Sequence, residues 1–590
     1  MQLKYLYASI LLIAIVAMGC SKDFLNRVPE TNISDGEFWK TANDLRLYSN
    51  SFYNAFPEER GFSGIGIYGW DASQGSDNMI QMDPNTRLNG DITPSGAEGW
   101  ASTDWSALRN VNYLLANYAK VSDSWDNVKQ YVGEALFFRA WFYFDKLRKF
   151  GDLPWINEPL DLNSAELFTP RASRSIIADS ILADLDRAAD YLPAKGSAGA
   201  GRLYKEVALA MASRVSLYEG TWEKYHAGTV FGVAGSNGQK YLQKCVMVSE
   251  SVMSNTAIGL DNTSGSYGYW NLFNKTDYSA SKEIMFCRQY NAALGIAHNW
   301  HRYSIGGAAK GITKDLIDDY LCTDGKPISV SPLYQGDNTL LSVVTNRDPR
   351  LRQSLYVPDG EHIITNNRAN GAAPLLFETP TFAASPTEAS ATGYQVYKGH
   401  QPDNNQQSAA EKGTTALILF RFAEVLLNYA EAKAELGQLS QIDVDKTINL
   451  LRRRVGMPDL VIASITPDSK WIFPQLSPLI NEVRRERRVE LACEGFRHDD
   501  IFRWAAAGIL IKGWKPKGAK RAQWDGIVAA TVLNAYPVDA NGYIEKFQNS
   551  SAVGATGYKF NTQRDYLWPI PLAQLQVPNN TLTQNPGWGQ

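Results

Sequence analysis

The stretch WFYFDKLRKFGDLPW, Trp141 to Trp155, limits what this chain can fold into more than any other segment. It crowds aromatic rings onto a helical period and then stops at Gly151 and Pro154. Just upstream, Ala135, Phe138 and Phe142 recur at helical spacing with Phe137 and Trp141 beside them, so Tyr131 to Lys149 carries a broad apolar face. A glycine after the last periodic residue, with a proline beyond it, marks the end of a helix. A helix apolar over so wide an arc has to be covered by other helices. Catalysis does not require such a pattern, whereas a helical scaffold does.

The rest of the chain supplies the partners. Asn110 to Lys120, Ser175 to Leu192, Arg202 to Gly220 and Lys240 to Ser254 show the same periodicity, and Leu419 to Gly437 and Val444 to Gly456 form a further pair. Small residues at Ala423, Ala430, Ala432 and Ala434 let a neighbouring helix approach closely, as in tetratricopeptide-type repeats. The expected fold is mainly α: a tetratricopeptide-like helical-repeat scaffold at about 36–57, 104–256 and 414–505, interrupted by long irregular loops with short strands. The loop-rich insertions fall at about 58–103 and 255–413, and a closing segment follows at about 506–590, all within a single domain spanning 20–590. Both insertions are rich in Gly, Asn, Asp, Ser, Pro and Trp, and their ring content argues for ordered, functional loops.

With 590 residues, 44% of them hydrophobic, the chain can bury a large core. The formal charge of -3 and the lack of a basic run interleaved with aromatics exclude nucleic acid as a partner. Aromatics at 12%, with 16 Trp and 29 Tyr, suit an extracellular protein that stacks rings on ligands. The first residues carry Lys4 and an apolar run from Leu6 to Met18, too short to span a membrane comfortably, which reads as an export signal over residues 1–19. Ala17 and Gly19 before Cys20 fit a lipoprotein signal in which the Cys20 thiol is acylated; ordinary secretion with cleavage near Gly19 is the alternative. Cys245, Cys287, Cys322 and Cys493 lack a CxxC spacing, so no zinc site is expected; one disulfide and buried free thiols both stay open.

Glu482, Glu486, Glu490 and Glu494 recur every four residues and would form one row of carboxylates on a helix. Arg485, Arg487 and Arg497 stand three residues from Glu482, Glu490 and Glu494, so an ion-pair lattice is expected there. His498, four after Glu494, would be needed for a metal site, but a second histidine at usable spacing is missing. Asp315, Asp318 and Asp319 are the nearest thing to a glycosidase carboxylate cluster, and they fit a helix start as well. No cofactor, metal or catalytic residue is assigned, and the chain is read as a non-enzyme.

Five segments in order resemble the SusD/RagB family of outer-membrane nutrient-binding lipoproteins: CSKDFLNRVPET, GEALFFRAWFYFDKLRKFGDLPW, FRFAEVLLNYAEAKAELG with INLLRRRVG, ERRVELACEGFRHDDIFRW, and YLWPIPLAQLQVPNNTLTQNPGW. The resemblance implies a cell-surface protein that captures a glycan, oligosaccharide or peptide-like nutrient. It would be held to the outer membrane by a lipid anchor on Cys20, facing outward, and would deliver its ligand to a SusC-like TonB-dependent transporter. It also implies ligand contacts in two loops, Gly69 to Asn89 and Tyr290 to Gly307. In the first, Trp70, Asp77, Asn78, Gln81 and Asn85 offer a ring and planar hydrogen-bonding groups; in the second, Trp300, Arg302 and Tyr303 cluster in HNWHRY. Trp70 and Trp300 could instead pin their loops to the scaffold, and Trp270 in YGYWNLF reads as structural. A secreted glycan-cleaving enzyme on an α-helical frame and a helical-repeat adaptor for proteins are the alternative functions.

Overall fold

The computed structural model describes residues 38–58, 70–96, 98–161, 163–263, 265–376, 379, 381–382 and 388–589. The expected signal segment 1–19 and Cys20 lie outside them. The principal elements of the first half are α1 (Ala42–Ser49), α2 (Trp70–Gln74), β1 (Met79–Gln81), α3 (Ser102–Asn117), α4 (Trp125–Phe150), α5 (Arg174–Tyr191), α6 (Lys205–Tyr225) and α7 (Gln239–Met253). α3 packs on α4, α4 on α5, α5 on α6 and α6 on α7, each helix against the next in sequence. This succession is the tetratricopeptide-like scaffold that the periodicity leads one to expect.

Each ring of the opening stretch goes to a different neighbour. Phe142 meets Trp105 of α3 at 5.3 Å, Phe144 meets Tyr218 of α6 at 5.5 Å, and Tyr143 lies 4.3 Å from Trp155 beyond the turn. Phe150 closes on Trp100 of the first insertion at 4.9 Å. α4 thus serves as the post that several elements lean on. It ends where Gly151 takes φ 71°, with its N–H still donating to the Leu147 carbonyl at 2.9 Å. A Cβ there would lie 2.8 Å from Leu567 Cδ1, so the closing segment presses on the helix end itself.

The second half contains β2 (Ile284–Arg288), α8 (Trp300–Ser304), β3 (Lys310–Ile312), β4 (Leu417–Arg421), α9 (Phe422–Glu435), α10 (Ile448–Arg454), α11 (Pro478–Glu490) and α12 (Arg497–Arg503). The alanine-rich α9 is buried along nearly its whole length and packs against α6, α7 and α11. β1 and β3 pair antiparallel, Met79 opposite Ile312 and Gln81 opposite Lys310, which ties the two insertions into one body. Gly311 at the centre of β3 allows that approach, because a Cβ would fall 2.1 Å from Thr392 Oγ1. β2 and β4 form the other two-stranded pair, with an irregularity around Phe286. All four described cysteines are free thiols, and Cys245, Cys322 and Cys493 are buried.

The glutamate row is an ion-pair lattice, but its partners come from other elements. α11 ends at Glu490, and Glu494 lies in the turn beyond it. Arg485 does pair with Glu482, at 3.1 Å, as the spacing suggests. Arg487 pairs instead with Asp500 at 3.0 Å, and Arg497 with Asp77 at 2.6 Å. Glu490 is met by Arg350 at 3.0 Å, Arg421 at 2.7 Å and Arg454 at 2.5 Å, and Glu494 by Lys398 and Arg421. His498, the residue a metal site would need, bonds the Gly75 carbonyl at 2.8 Å.

Burial alone would raise the pKa of Asp77, but Arg488 and Arg497 bring it down to about 2. Glu431 beside Arg503 is likewise at about 2, and Glu486 and Glu490 are lowered by their arginines against the same burial effect. Their folded pKa values lie below unfolded ones near about 4, so the stabilisation is complete above about pH 5 and is lost as pH falls toward 2. Asp71, which burial raises to about 6, acts in the opposite sense, and its effect is complete by about pH 4. The thermal midpoint should therefore drop steeply between about pH 4.5 and 3. Glu490→Gln takes a shared carboxylate from three arginines that keep Glu486, Glu494 and Glu283 as other partners, and should cost about 1.5–3 kcal/mol by urea unfolding. A midpoint flat over that pH range, or an unchanged unfolding curve for the variant, would contradict the lattice as a stabilising element.

Candidate functional site

Seven of the eight sequence-derived residues fall in three groups. Asp77 and Asn78 are buried: Asp77 binds Arg488 and Arg497, and Asn78 donates to Asp71 at 3.0 Å while accepting from Arg488 Nε at 2.8 Å. Trp300 and Tyr303 are 3% and 6% exposed and belong to the main core. Gln81 and Asn85 are half-buried and Arg302 is exposed. The side chain of Trp70 lies outside the described residues.

Trp300 and Tyr303 therefore differ from the stacking platforms expected of them. In the five-residue helix α8, Trp300, His301, Tyr303 and Ser304 all turn inward, and Arg302 alone faces solvent. His298 and His301 are buried with them and share Thr415 Oγ1, at 3.2 and 2.8 Å. Trp270 is structural, as expected, stacked on Tyr397 at 5.0 Å with the planes 4° apart. Trp300→Ala should thus unfold early, by about 3–5 kcal/mol in chemical denaturation as for other buried aromatic truncations. Wild-type stability in that variant would return Trp300 to the surface as a contact residue.

The first loop does reach a cleft. Between α2, the Asn85–Arg87 turn, α4 and the closing segment lies a cavity of about 330 Å³ lined by Gln74, Asn85, Arg87, Lys149, His498 and Trp568. It shares Gln74, Asp145, Arg148, Tyr218 and Asp499 with an adjoining cavity of about 140 Å³, whose further walls include the half-buried Trp141 and Phe496. Gln74, at the junction, is exposed. Asn85 shapes the turn: its Oδ1 accepts from the Leu88 N–H at 3.0 Å, its Nδ2 donates to the Ser73 carbonyl at 3.3 Å, and its backbone N–H donates to Tyr558 Oη at 3.1 Å.

The opposite wall is charged. Arg148 donates to Asp499 at 2.6 Å and to Asp145 at 3.1 Å, both of which face the cleft. The Arg87 guanidinium lies 4.7 Å over the Phe502 ring and 5.2 Å over Trp568, and Lys149 Nζ sits 4.0 Å over Trp568. The Trp568 backbone N–H donates to the Lys149 carbonyl at 2.8 Å, fixing the closing segment against the end of α4. Burial, reinforced by the neighbouring Arg87, brings the His498 pKa down to about 4, so the ring is neutral near pH 7. Arg87, Arg148, Lys149 and Trp568 are absent from the sequence-derived set. The opening stretch contains two of them, and the one available signal was that Asp145, Arg148 and Lys149 share the polar side of an otherwise apolar helix.

A wider cleft, about 770 Å³, opens beside α3 with walls that include Trp100, Trp105, Leu167, Phe168 and Gln574. None of the eight residues lines it. Among the described residues no group of three or more His, Cys, Asp or Glu is arranged to hold a metal ion, and no helix is long and apolar enough to cross a membrane.

Comparison with known proteins gives the frame its relatives. The family model described as SusD family matches residues 250–588, and one described as starch-binding, associating with outer membrane, matches residues 90–217. A SusD-like protein of Formosa agariphila, P38, is 24% identical over 506 residues, covering 84% of this chain and 90% of its own. The crystal structure of a SusD-like carbohydrate-binding protein from Bacteroides fragilis superposes with a TM-score of 0.70 at 23% identity, covering 92% of this chain and 99% of that one. A laminarin-binding SusD-like protein superposes at 0.57 with 17% identity, covering 93% of this chain and 100% of that one.

Proposed function

The chain belongs to the SusD family, and from that premise we propose that it is a glycan-binding lipoprotein of the outer membrane. It captures an oligosaccharide at the cell surface and passes it to a SusC-like TonB-dependent transporter. The outer-membrane association in the description of the second matching family model supports the location, and the Gly19–Cys20 junction supports an anchor made of acyl chains. The observation that carries the reading is the cleft between the first insertion and α4. Half-buried Trp141 and Phe496 line the smaller cavity and Asn85 the larger, with the amide of Gln74 at their junction, a mixture that suits the apolar face and the hydroxyls of a sugar. Of the eight residues read from the sequence, Asn85 is the one on this wall; Gln81 and Arg302 are the others with side chains at the surface.

We further propose that binding is not followed by cleavage. A glycosidase sets two carboxylates across one bond, about 5–10 Å apart, one of them a proton donor. Here Asp145 and Asp499, which line both cavities, accept from the one Arg148, and Glu424, Glu494 and Asp500 on the wall of the smaller one are held by Arg214, Arg421 and Arg503. Asp315, Asp318 and Asp319 are similarly engaged, by Trp514, Lys314 and Arg488.

Affinity electrophoresis against a glycan panel should show retardation by at least one polysaccharide, with no new reducing ends after prolonged incubation. Gln74→Ala, at an exposed position, should weaken that retardation several-fold without moving the melting temperature. Loss on Trp105→Ala with Gln74→Ala unchanged would move the site to the cleft beside α3. Cys20→Ala should leave the protein soluble or unprocessed; its continued fractionation with outer membranes in cells lacking a transporter partner would contradict the lipid anchor.

A further inference from the structure

We infer that the cavity between the Asn85–Arg87 turn and Trp568 accepts an anionic substituent of the glycan, a carboxylate or a sulfate, held by Arg87 and Lys149. This deepens the glycan-binding reading and rests on it. The argument begins with charge. Arg148, the central cation of the cleft, is paired with both Asp145 and Asp499, so this trio carries one negative charge against the two positive charges of Arg87 and Lys149, and the five groups together are net positive. Arg87 and Lys149 have no carboxylate at ion-pair distance among the described residues. Asp565, the acid in the same closing segment, is paired with Arg564 at 2.6 Å.

Hydrogen bonding points the same way. Arg87 donates Nη2 to the Tyr566 carbonyl at 3.1 Å, and its Nε is buried without a partner. Lys149 Nζ has the Trp568 face at 4.0 Å and the Phe150 ring at 5.4 Å, and no acceptor among the described residues. A half-buried cation with no carboxylate in contact costs free energy, and Asp145 and Glu98 around Lys149, like Asp565 and Asp499 around Arg87, act only from longer range. The indole between Arg87 and Lys149 supplies part of the counter-charge through its π face and fixes both positions, so the two cations are held apart and preorganised. Their cavity, about 330 Å³, is the volume of roughly ten waters, enough for one sugar unit and its charged group.

Burial lowers the Lys149 pKa to about 8, against Asp145, which raises it, and with Lys146 and Arg87, which lower it further; Glu98 also faces it and raises it. Arg148 on α4, Asp499 and His498 on α12, Tyr218 on α6 and Asp565 in the closing segment complete the charged and titratable surroundings. Affinity for an anion should accordingly decline as pH rises from about 7 to 9 while Lys149 loses its proton.

The test is isothermal titration of the full-length protein with matched pairs: trigalacturonic acid and its methyl ester, and a sulfated galactan oligosaccharide and its desulfated form. Maltoheptaose and sodium sulfate serve as neutral-chain and free-anion arms. The expected result is at least tenfold tighter binding of one charged chain than of its neutral counterpart, and a tenfold loss on Lys149→Gln. Arg87→Gln should lose the preference and Arg87→Lys retain it, with melting curves showing that each variant folds. The pair that shows the preference identifies carboxylate or sulfate as the group. Binding of sodium sulfate as tight as that of the sulfated chain, or a preference that survives both Lys149→Gln and Arg87→Gln, overturns the inference. Binding of neutral chains alone overturns it while the glycan reading stands, and binding of no chain at all overturns both.

Discussion

Glu490 is where the scaffold and its insertions are joined. Its carboxylate, fully buried, is shared by Arg350 from the second insertion, Arg421 from β4 and Arg454 from α10. Neighbouring positions on α11 reach further: Glu486 takes Arg350 and Arg452, and Arg488 takes Asp77 of the first insertion and Asp319 of the second. Buried charges in such numbers contribute little net stability over well-packed apolar groups, since desolvation offsets most of the attraction. Their effect is to fix relative position. An apolar contact tolerates a slip, whereas a buried guanidinium displaced from its carboxylate loses several kcal/mol. The insertions are largely irregular chain with short helices and strands, and this lattice gives them a defined seat.

That seat explains how much of the molecule was legible in the sequence. Apolar periodicity located the helices because a repeating face is a local property: Tyr131 to Lys149 lies within α4, and Ser175 to Leu192 and Lys240 to Ser254 coincide with α5 and α7 to within a residue at each end. α4 begins earlier, at Trp125: Trp125, Asp126 and Asn127 are exposed, while Val128 and Val132 already carry the buried face. Charge partners were not legible. Three-residue spacing made Arg487 and Arg497 look like partners of Glu490 and Glu494, but a buried charge takes the acid that the fold brings to it, and for both arginines that acid lies on another element.

The candidate site shows the same limit. Trp270 and Trp300 both sit in polar, glycine-rich sequence, and nothing in their neighbours says which way a ring turns. The structure buries both. Asn85 was found because a loop of amides is conspicuous. Lys149 and Arg148 were not, because on an aromatic helix a charged side ordinarily meets solvent, and the closing segment that covers this one lies more than four hundred residues away.

The bonds from Asp77 to Arg488 and Arg497 span 411 and 420 residues. Contacts so distant in sequence cannot form until the chain between them has been made and the loop closed, so the order of assembly follows from them. The sequential helices α3 to α7 can associate early, each with the neighbour just made. The first insertion, although it precedes them, has to wait for α11 and α12 before its buried aspartate has a counter-charge. The lip of the cleft is thus among the earliest parts of the protein to be synthesised and among the last to take its shape.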